Sequence, residues 1–380
     1  MGLLYNLRTM TKSKSRPGSR PMQQQAGSSP KPQVSAPSTR PQGAVPQAPS
    51  QGPTAVATSL SAATVINGLH LDSPTALIQQ LEKQRGSKLL CMMYSDLGVG
   101  GVTPQLSMGL LPPLQDILRT MGSVPKLDVL LRCFGGVAEV PWRVVSLLRE
   151  HTEELGVIVA DVALSGACHI AISADELVMT PFSALGSVDP TRNHPLLPKN
   201  AQGQPIPTSV QDLKHCIQFI REQLGESYGS QNLALIVSEL FKHVDPLAIG
   251  ALEQAYSLAR LITRKVLKTH RTPLDDEQIE RIVETLSGQY FSHSYLISRA
   301  EVETDLKLPL VKPDEDVSRT IQALSEHFSS QFRKRAPIKL PGAQAEGFAA
   351  VILQTTECRW AVPMALSGDN LVLDQWFKLT

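Results

Sequence analysis

Ser165 stands where a nucleophile is useful. It follows the apolar run of residues 156–161 and opens a stretch of small residues, Ser165-Gly166-Ala167-Cys168. A strand that stops where a helix starts leaves free backbone N–H groups at the junction. An oxyanion forming beside Ser165 can accept from the Gly166 N–H. A second donor is at hand in Gly135-Gly136, which closes the apolar run 127–134 and, lacking Cβ, lets the backbone approach closely. The bland alternative is that Ser165 only caps the helix. The surrounding Ala163-Leu164-Ser165-Gly166-Ala167 is not the GxSxG elbow of α/β hydrolases.

The other chemistry-bearing residues are more scattered. His194 lies in a loop after Ser165 and is a candidate base in a Ser-His-Asp arrangement, with Asp189 or Asp245 to orient it. Its bland reading is an exposed loop histidine. His169 falls inside the small-residue helix and reads as packed. Cys168-His169 and His215-Cys216 are adjacent pairs without metal-ligand spacing, so no metal and no cofactor are expected. Gly98 to Gly101 lacks the Gly-Lys-Ser/Thr of a phosphate loop and reads as a turn. Asp175-Glu176 opens a strand and reads as structural.

The elements that must position these groups alternate. Residues 73–86 read as a helix, 89–94 as a buried strand, and 108–121 as a helix whose start Pro112 and Pro113 restrict. Residues 127–134 read as a strand, a helix follows with Pro141 near its first turn, and 156–161 form a third strand. The small-residue helix and a strand over 176–180 come next. Near-continuous apolar strands alternating with helices predict a parallel sheet covered on both faces. Residues 190–207 read as a loop or lid, followed by helices over about 208–225, 246–269 and 274–287. Short strand-like runs within 346–380 suggest a small β appendage, or strands added to a neighbouring sheet.

Composition narrows the partners. Of 380 residues, 42% are apolar and 19% charged, enough for a sizeable core. Seven Lys or Arg precede the first acidic residue, Asp72, and the net charge is +1, so the remainder carries −6. The basic character belongs to the N-terminal tail, and no nucleic-acid surface is indicated on the folded part. Residues 1–60 are basic and rich in Pro, Ser and Gln, and read as a disordered tail. The five cysteines show no CxxC spacing and fit buried free thiols in a reducing compartment. No apolar run is long enough for a transmembrane segment, and no signal-peptide core is evident, which makes cytoplasmic the default.

Two stretches carry a resemblance. Residues 132–151, Arg-Cys-Phe-Gly-Gly and the helix after it, and residues 157–191 resemble the serine dehydrogenase proteinase family. That family is related to signal peptide peptidase A and, more distantly, to the Clp protease proteolytic subunit. Ser173-Ala174-Asp175-Glu176-Leu177-Val178-Met179 and Leu185-Gly186-Ser187-Val188-Asp189-Pro190 match two of its segments, and His293 falls on a histidine of a third. Its own bland reading is structural. The chain departs from the pattern at Cys133-Phe134 before the glycine pair, and at Ala167, Cys168 and Ser187.

The resemblance implies a Clp/crotonase-like α/β domain over residues 75–310: a spiral of ββα units with a parallel sheet, long C-terminal helices and a small β appendage. Residues 311–380 are left as a linker plus short strands. It implies a serine-type endopeptidase with Ser165 as nucleophile and Gly135, Gly136 and Gly166 around the oxyanion. In the signal peptide peptidase relatives the base is a lysine, which works only if burial or nearby positive charge keeps it neutral. Lys242 and Lys214 are the candidates, each with the bland reading of a solvated helix charge. A peptide or protein substrate and a homo-oligomer follow from the same resemblance. Two other readings stay open: a non-catalytic scaffold or adaptor of this fold, and a crotonase-type acyl-CoA enzyme.

Overall fold

The computed structural model describes residues 71–98, 103–191, 194–224, 230–340, 343–365 and 376–379. The tail expected over residues 1–60 and most of the Gly98–Gly101 turn lie outside the described residues. The chain begins with α1 (Thr75–Arg85), which stops at Gly86 in the left-handed conformation at φ 64°. The strand β1 (Lys88–Tyr94), a one-turn 3-10 segment, and α2 (Leu111–Met121) follow. Pro112 and Pro113 sit in the first turn of α2, where their missing N–H groups cost nothing. Then come β2 (Val124–Cys133), α3 (Val140–Arg149), β3 (Thr152–Ala163), α4 (Gly166–Ala171), β4 (Glu176–Met179) and β5 (Ala184–Gly186).

After the loop that follows β5, the chain is mostly helical. The helices are α5 (Val210–Leu224), α6 (Ser230–Leu240), α7 (Pro246–Leu267) and α8 (Asp276–Glu284), the last continuing into a π-helical turn. The strand β6 (Leu296–Ser298), the single turn α9 (Arg299–Glu301) and β7 (Leu310–Val311) lead to α10 (Glu315–Arg333). The chain ends in β8 (Ala336–Leu340), β9 (Ala343–Gln354), β10 (Arg359–Ala365) and β11 (Phe377–Leu379).

The sheet runs in the order β11-β10-β9-β1-β2-β3-β4-β7, with β5 pairing the end of β3, β6 pairing β5, and β8 pairing β9. Strands β1 to β4 run parallel to one another. Both faces of this parallel core are buried, which is why its strands read as continuous apolar runs. Leu90, Met92 and Tyr94 of β1 join one cluster, with residues from α2, α3, α4, α7 and α8. The alternate residues Leu89, Cys91 and Met93 join the other, with α1 and α10. The α/β class with a parallel sheet covered on both faces is therefore as the apolar periodicity predicts.

Residues 311–340 depart from the linker expected there. α10 is a 19-residue helix, capped by the Asp314 carboxylate accepting from the Val317 N–H at 2.8 Å. Val317, Ile321, Leu324, Phe328 and Phe332 recur at helical spacing and are buried against the sheet. Of the two arrangements expected for the C-terminal strands, they take the second and add to the sheet: β9 pairs antiparallel with β1, with Cys91 opposite Gln354. The sheet is thus mixed, a parallel core flanked by an antiparallel C-terminal ribbon. The folded unit extends past residue 310, and α6 is a helix that the sequence reading passed over. No described helix is long and apolar enough to cross a membrane.

The starting ends of the parallel strands carry an ion-pair network. Asp128 is fully buried; it accepts from Arg85 Nε at 2.9 Å and Ser87 Oγ at 2.8 Å, while Glu176 accepts from Arg85 at 2.6 Å and Lys126 at 2.8 Å. Asp175 is held by Arg149, the Leu155 N–H and the Arg271 N–H, and these bonds pull its carboxyl below the usual range against the opposing effect of burial. Asp175 and Glu176 are structural, as read. The opposite, carboxyl ends of the strands hold the candidate site, the usual location in open parallel sheets.

Candidate active site

The junction between β3 and α4 is built from backbone up. The Leu164 N–H donates to the Cys133 carbonyl at 3.0 Å, which ties the chain leaving β3 to the chain leaving β2. Ser165 follows with φ 49° and ψ −119°, a conformation costly for any residue with a Cβ. It is one of three non-glycine residues at positive φ among those described. Its side chain makes no capping hydrogen bond, so helix capping does not explain it. The side chain is half-buried and packs against Gly135.

That turn requires its glycines. Gly135 has φ 103°, and a Cβ there would lie 2.9 Å from the Ser165 Cβ and 3.4 Å from its Oγ. Gly136 has φ 149°, and a Cβ there would collide with the backbone of Leu106 at 2.4 Å. The Leu106 N–H donates to the Gly135 carbonyl, and Val137 N–H donates to Leu106 O, which clamps the turn from the far side. Gly166 is buried, and a Cβ on it would stand 3.6 Å from the Gly136 nitrogen. The Gly136 and Gly166 N–H groups thus belong to residues that pack against each other next to Ser165. Among the described backbone hydrogen bonds neither donates.

The neighbouring cysteines are inert. Burial pushes the Cys133 and Cys168 thiols up to about 12, so neither offers a thiolate. Phe134 is half-buried, with the Arg132 guanidinium 5.7 Å from its ring centre. His169 packs against α7: Thr263 Oγ1 is 3.1 Å from its Nε2, and burial lowers the ring to about 4. It is a core histidine, as its position inside the helix suggested.

The candidate bases fall in three places. Lys242 is exposed at the end of α6 and pairs with Glu239 at 2.6 Å. Lys214 is exposed on α5, its ammonium 4.0 Å from the ring centre of Tyr256. His194 is half-buried in the loop after β5, and its Nδ1 accepts the Leu196 N–H at 3.3 Å. Asp245 caps α7 by accepting from the Leu247 N–H at 2.8 Å.

Asp189 is different. It is 8% exposed, its Oδ1 has no hydrogen-bond partner, and burial pushes it up to about 6 against the pull of Ser209, His293 and Lys214. It lines a narrow cleft with Ser187, Gln211, Ser287 and Tyr290. His293 Nδ1 is hydrogen-bonded to the Asp189 carbonyl, a contact that nothing in the residue spacing announced. Among the described residues no group of three or more His, Cys, Asp or Glu could hold a metal ion.

The α/β sheet thus presents, at its carboxyl ends, a serine at positive φ packed against a glycine turn. Residues 64–198 match the model of the ClpP-like SDH-type serine proteinases, and this stretch of the chain carries that family's pattern. The match contains Ser165 and both glycine turns and stops short of residues 199–380.

Two uncharacterized proteins of Methanocaldococcus jannaschii are similar in sequence. One is 25% identical over 202 residues, covering 47% of this chain and 68% of its own length. The other is 29% identical over 119 residues, covering 30% of this chain and 41% of its own length. Solved structures with a similar course include a mutant membrane-bound stomatin-specific protease in complex with a substrate peptide, 11% identical over 64% of this chain and 83% of that chain, with a TM-score of 0.32. A mutant ClpP1 from Listeria monocytogenes is 11% identical over 63% of this chain and 99% of that chain, with a TM-score of 0.34.

Proposed function

We propose that the chain is a serine peptidase that hydrolyses peptide bonds through an acyl-enzyme on Ser165. The observation that carries this reading is the uncapped Ser165 at φ 49°, facing the Gly135-Gly136 turn. Positive φ at a non-glycine residue is maintained only when the surroundings enforce it, and such strain collects at functional sites. The family match over residues 64–198 supports the same chemistry.

The steps follow from the groups present. A base takes the Ser165 hydroxyl proton as Oγ bonds to the scissile carbonyl carbon. The carbonyl oxygen becomes an oxyanion and accepts from the Gly136 and Gly166 N–H groups, donors that need no rearrangement. The C–N bond breaks as the proton passes to the leaving amine. Water then attacks the acyl-enzyme by the same route and restores Ser165.

A lysine base, as the family resemblance implies, requires an amine kept neutral by burial or by positive neighbours. Lys214 and Lys242 are both exposed, so the lysine dyad stands as the weaker assignment for the base. Self-association fits the apolar side chains left exposed on α5, α6 and the start of α7, namely Phe219, Leu235 and Leu247. Light scattering that finds a monomer at micromolar concentration would remove that part of the reading.

The test of the activity is hydrolysis of an unfolded protein substrate by the full chain and by Ser165→Ala. Turnover that disappears in the variant supports the peptidase. Turnover unchanged by the substitution assigns the hydrolysis to another group, and a folded chain without turnover favours a non-catalytic scaffold.

A further inference from the structure

We propose that the cleft between α10 and the turn that follows β4 is a binding subsite for a lysine or arginine side chain of the peptide substrate. The proposal rests on the reading of Ser165 as the nucleophile of a peptidase and names a substrate feature for that site. The cleft arises where the sheet changes partners. β3 pairs with β4 as far as Val159 opposite Met179, and with β5 from Val162 opposite Ala184. Ala160 and Asp161 fall between the two ladders. The connecting residues, Thr180 to Ser183, form a turn: the Ser183 hydroxyl donates to the Val159 carbonyl at 2.6 Å, and the Thr180 N–H donates to Ser183 Oγ at 3.0 Å. The ring of Phe182 is left 87% exposed. α10 closes the other side, and the cleft holds about 340 Å³, within the range of ligand sites.

The lining combines apolar surface with unneutralised acid. Ala160, Phe182 and Ile321 supply the first, and Asp161 and Glu326 supply two carboxylates. None of the described residues that line it is basic. Asp161 accepts no hydrogen bond among the described residues. Arg132 Nε stands 3.7 Å from it, and that guanidinium is engaged with Asp96 at 3.1 Å and with Ser329 Oγ at 2.8 Å. Glu326 accepts from the Gln322 amide at 2.8 Å and, among the described residues, pairs with no cation. A lysine or arginine side chain answers both parts of the lining. Its stem lies on hydrocarbon while its charged head reaches the carboxylates, and the face of Phe182 attracts a cation. An acidic side chain is repelled, and an aliphatic one leaves the carboxylates without a counter-charge.

The cleft is within reach of the nucleophile. Asp161 lies four residues before Ser165 in the chain. At no more than about 3.6 Å per residue, their Cα atoms are within about 14 Å of each other. An extended peptide covers that span in about four or five residues. A basic side chain held in the cleft therefore suits a scissile bond that many residues away. Arg132 stands between the two places: it flanks Asp161 on one side, and on the other its guanidinium lies 5.7 Å from the ring centre of Phe134, the residue before Gly135. Ile321 and Glu326 come from α10, beyond the residues 64–198 of the family match, so half of the cleft lies outside the matched stretch.

Two measurements on the full chain test the subsite. In the first, Ser165→Ala is titrated with fluorescent extended peptides that differ at one position, lysine, norleucine or glutamate, and binding is read by anisotropy. The lysine peptide should bind about 10-fold more tightly than the norleucine peptide, and the glutamate peptide least. Adding Asp161→Asn and Glu326→Gln to that protein should abolish the difference; both side chains reach solvent, and a melting curve checks that the variant is folded. Adding Phe182→Ala instead should weaken lysine binding about 3-fold. In the second, the unaltered chain digests an unfolded protein and the cleaved bonds are mapped by mass spectrometry. Lysine and arginine should be enriched within about five residues on one side of the cleaved bond, and the enrichment should vanish in Asp161→Asn with Glu326→Gln. Equal binding of the lysine and norleucine peptides, no binding of any peptide, or a preference that survives loss of both carboxylates overturns the subsite, whether or not Ser165 proves to be a nucleophile. A carboxylate-dependent lysine preference in a folded chain that cleaves nothing leaves a peptide-binding cleft and refutes its part in substrate selection, together with the peptidase reading.

Discussion

Gly135 lies so close to Ser165 that a methyl group added to it would meet the Ser165 Cβ at 2.9 Å. The glycine also adopts φ 103°, where a side chain is strained whatever the space around it. Gly135→Ala should therefore push the serine and the Gly136 N–H out of register together. We expect a fall in turnover of about 10²-fold or more, the scale of losing one oxyanion donor, with destabilisation of about 1–3 kcal/mol. Steady-state kinetics and urea unfolding on the same preparation check both halves.

The strain at Ser165 predicts a stability difference between two inactive variants. Ser165→Ala keeps a Cβ at φ 49° and gains nothing. Ser165→Gly relieves the strain, offset in part by the larger entropy of glycine in the unfolded chain. Ser165→Gly should be the more stable of the two by about 1 kcal/mol. Equal urea midpoints would mean that the conformation is not strained.

Asp189 makes part of the stability depend on pH. Burial raises its folded value from 3.8 to about 6, so the folded state holds the proton more tightly than the unfolded chain. Its contribution is fully present below about pH 4 and is lost as pH rises through 6. Asp189→Asn should gain on the unaltered protein at pH 7–8, by at most about 3 kcal/mol, and not at pH 4. Melting curves across that range decide it.

His169 works in the opposite sense. Its folded value falls from 6.5 to about 4 because the buried ring resists charging. The neutral ring contributes fully above about pH 6.5, and the contribution is lost as pH falls through 4. His169→Gln should flatten that acid limb while lowering stability at neutral pH, since the ring fills space between α4 and α7. Acid titration followed by circular dichroism is the measurement.

At the opposite end of the sheet, Gly156 of β3 faces Asp128 of β2. A Cβ on Gly156 would fall 1.8 Å from Asp128 Oδ1, in a carboxylate whose other oxygen, Oδ2, is held in place by Arg85 Nε and Ser87 Oγ. Gly156→Ala should cost about 1–3 kcal/mol without changing the pH profile of turnover, because the site lies at the other ends of the strands.

What could be read from residues alone was the part that depends on local pattern. The runs 89–94, 127–134 and 156–161 became β1, β2 and β3 because strands buried on both faces must be apolar throughout. Ser165 and Gly135-Gly136 were legible because each closes such a run. A base was not, since which side chain approaches Ser165 depends on how the later helices and loops pack, and residue types carry no record of that. In α10, Val317, Ile321, Leu324 and Phe328 keep helical spacing, but polar and charged residues dilute that stripe, and the segment reads as a linker. The pairing of β9 with β1 joins residues far apart in the chain, and local periodicity carries no information about it.

The central claim is tested most directly by exposing the folded full chain to a fluorophosphonate probe and mapping the adduct by peptide mass spectrometry. The account predicts one adduct, on Ser165, with a rate that increases from acid to neutral pH and vanishes in Ser165→Ala. A folded chain that acquires no adduct at any pH from neutral to alkaline, or an adduct on a different serine, would contradict it.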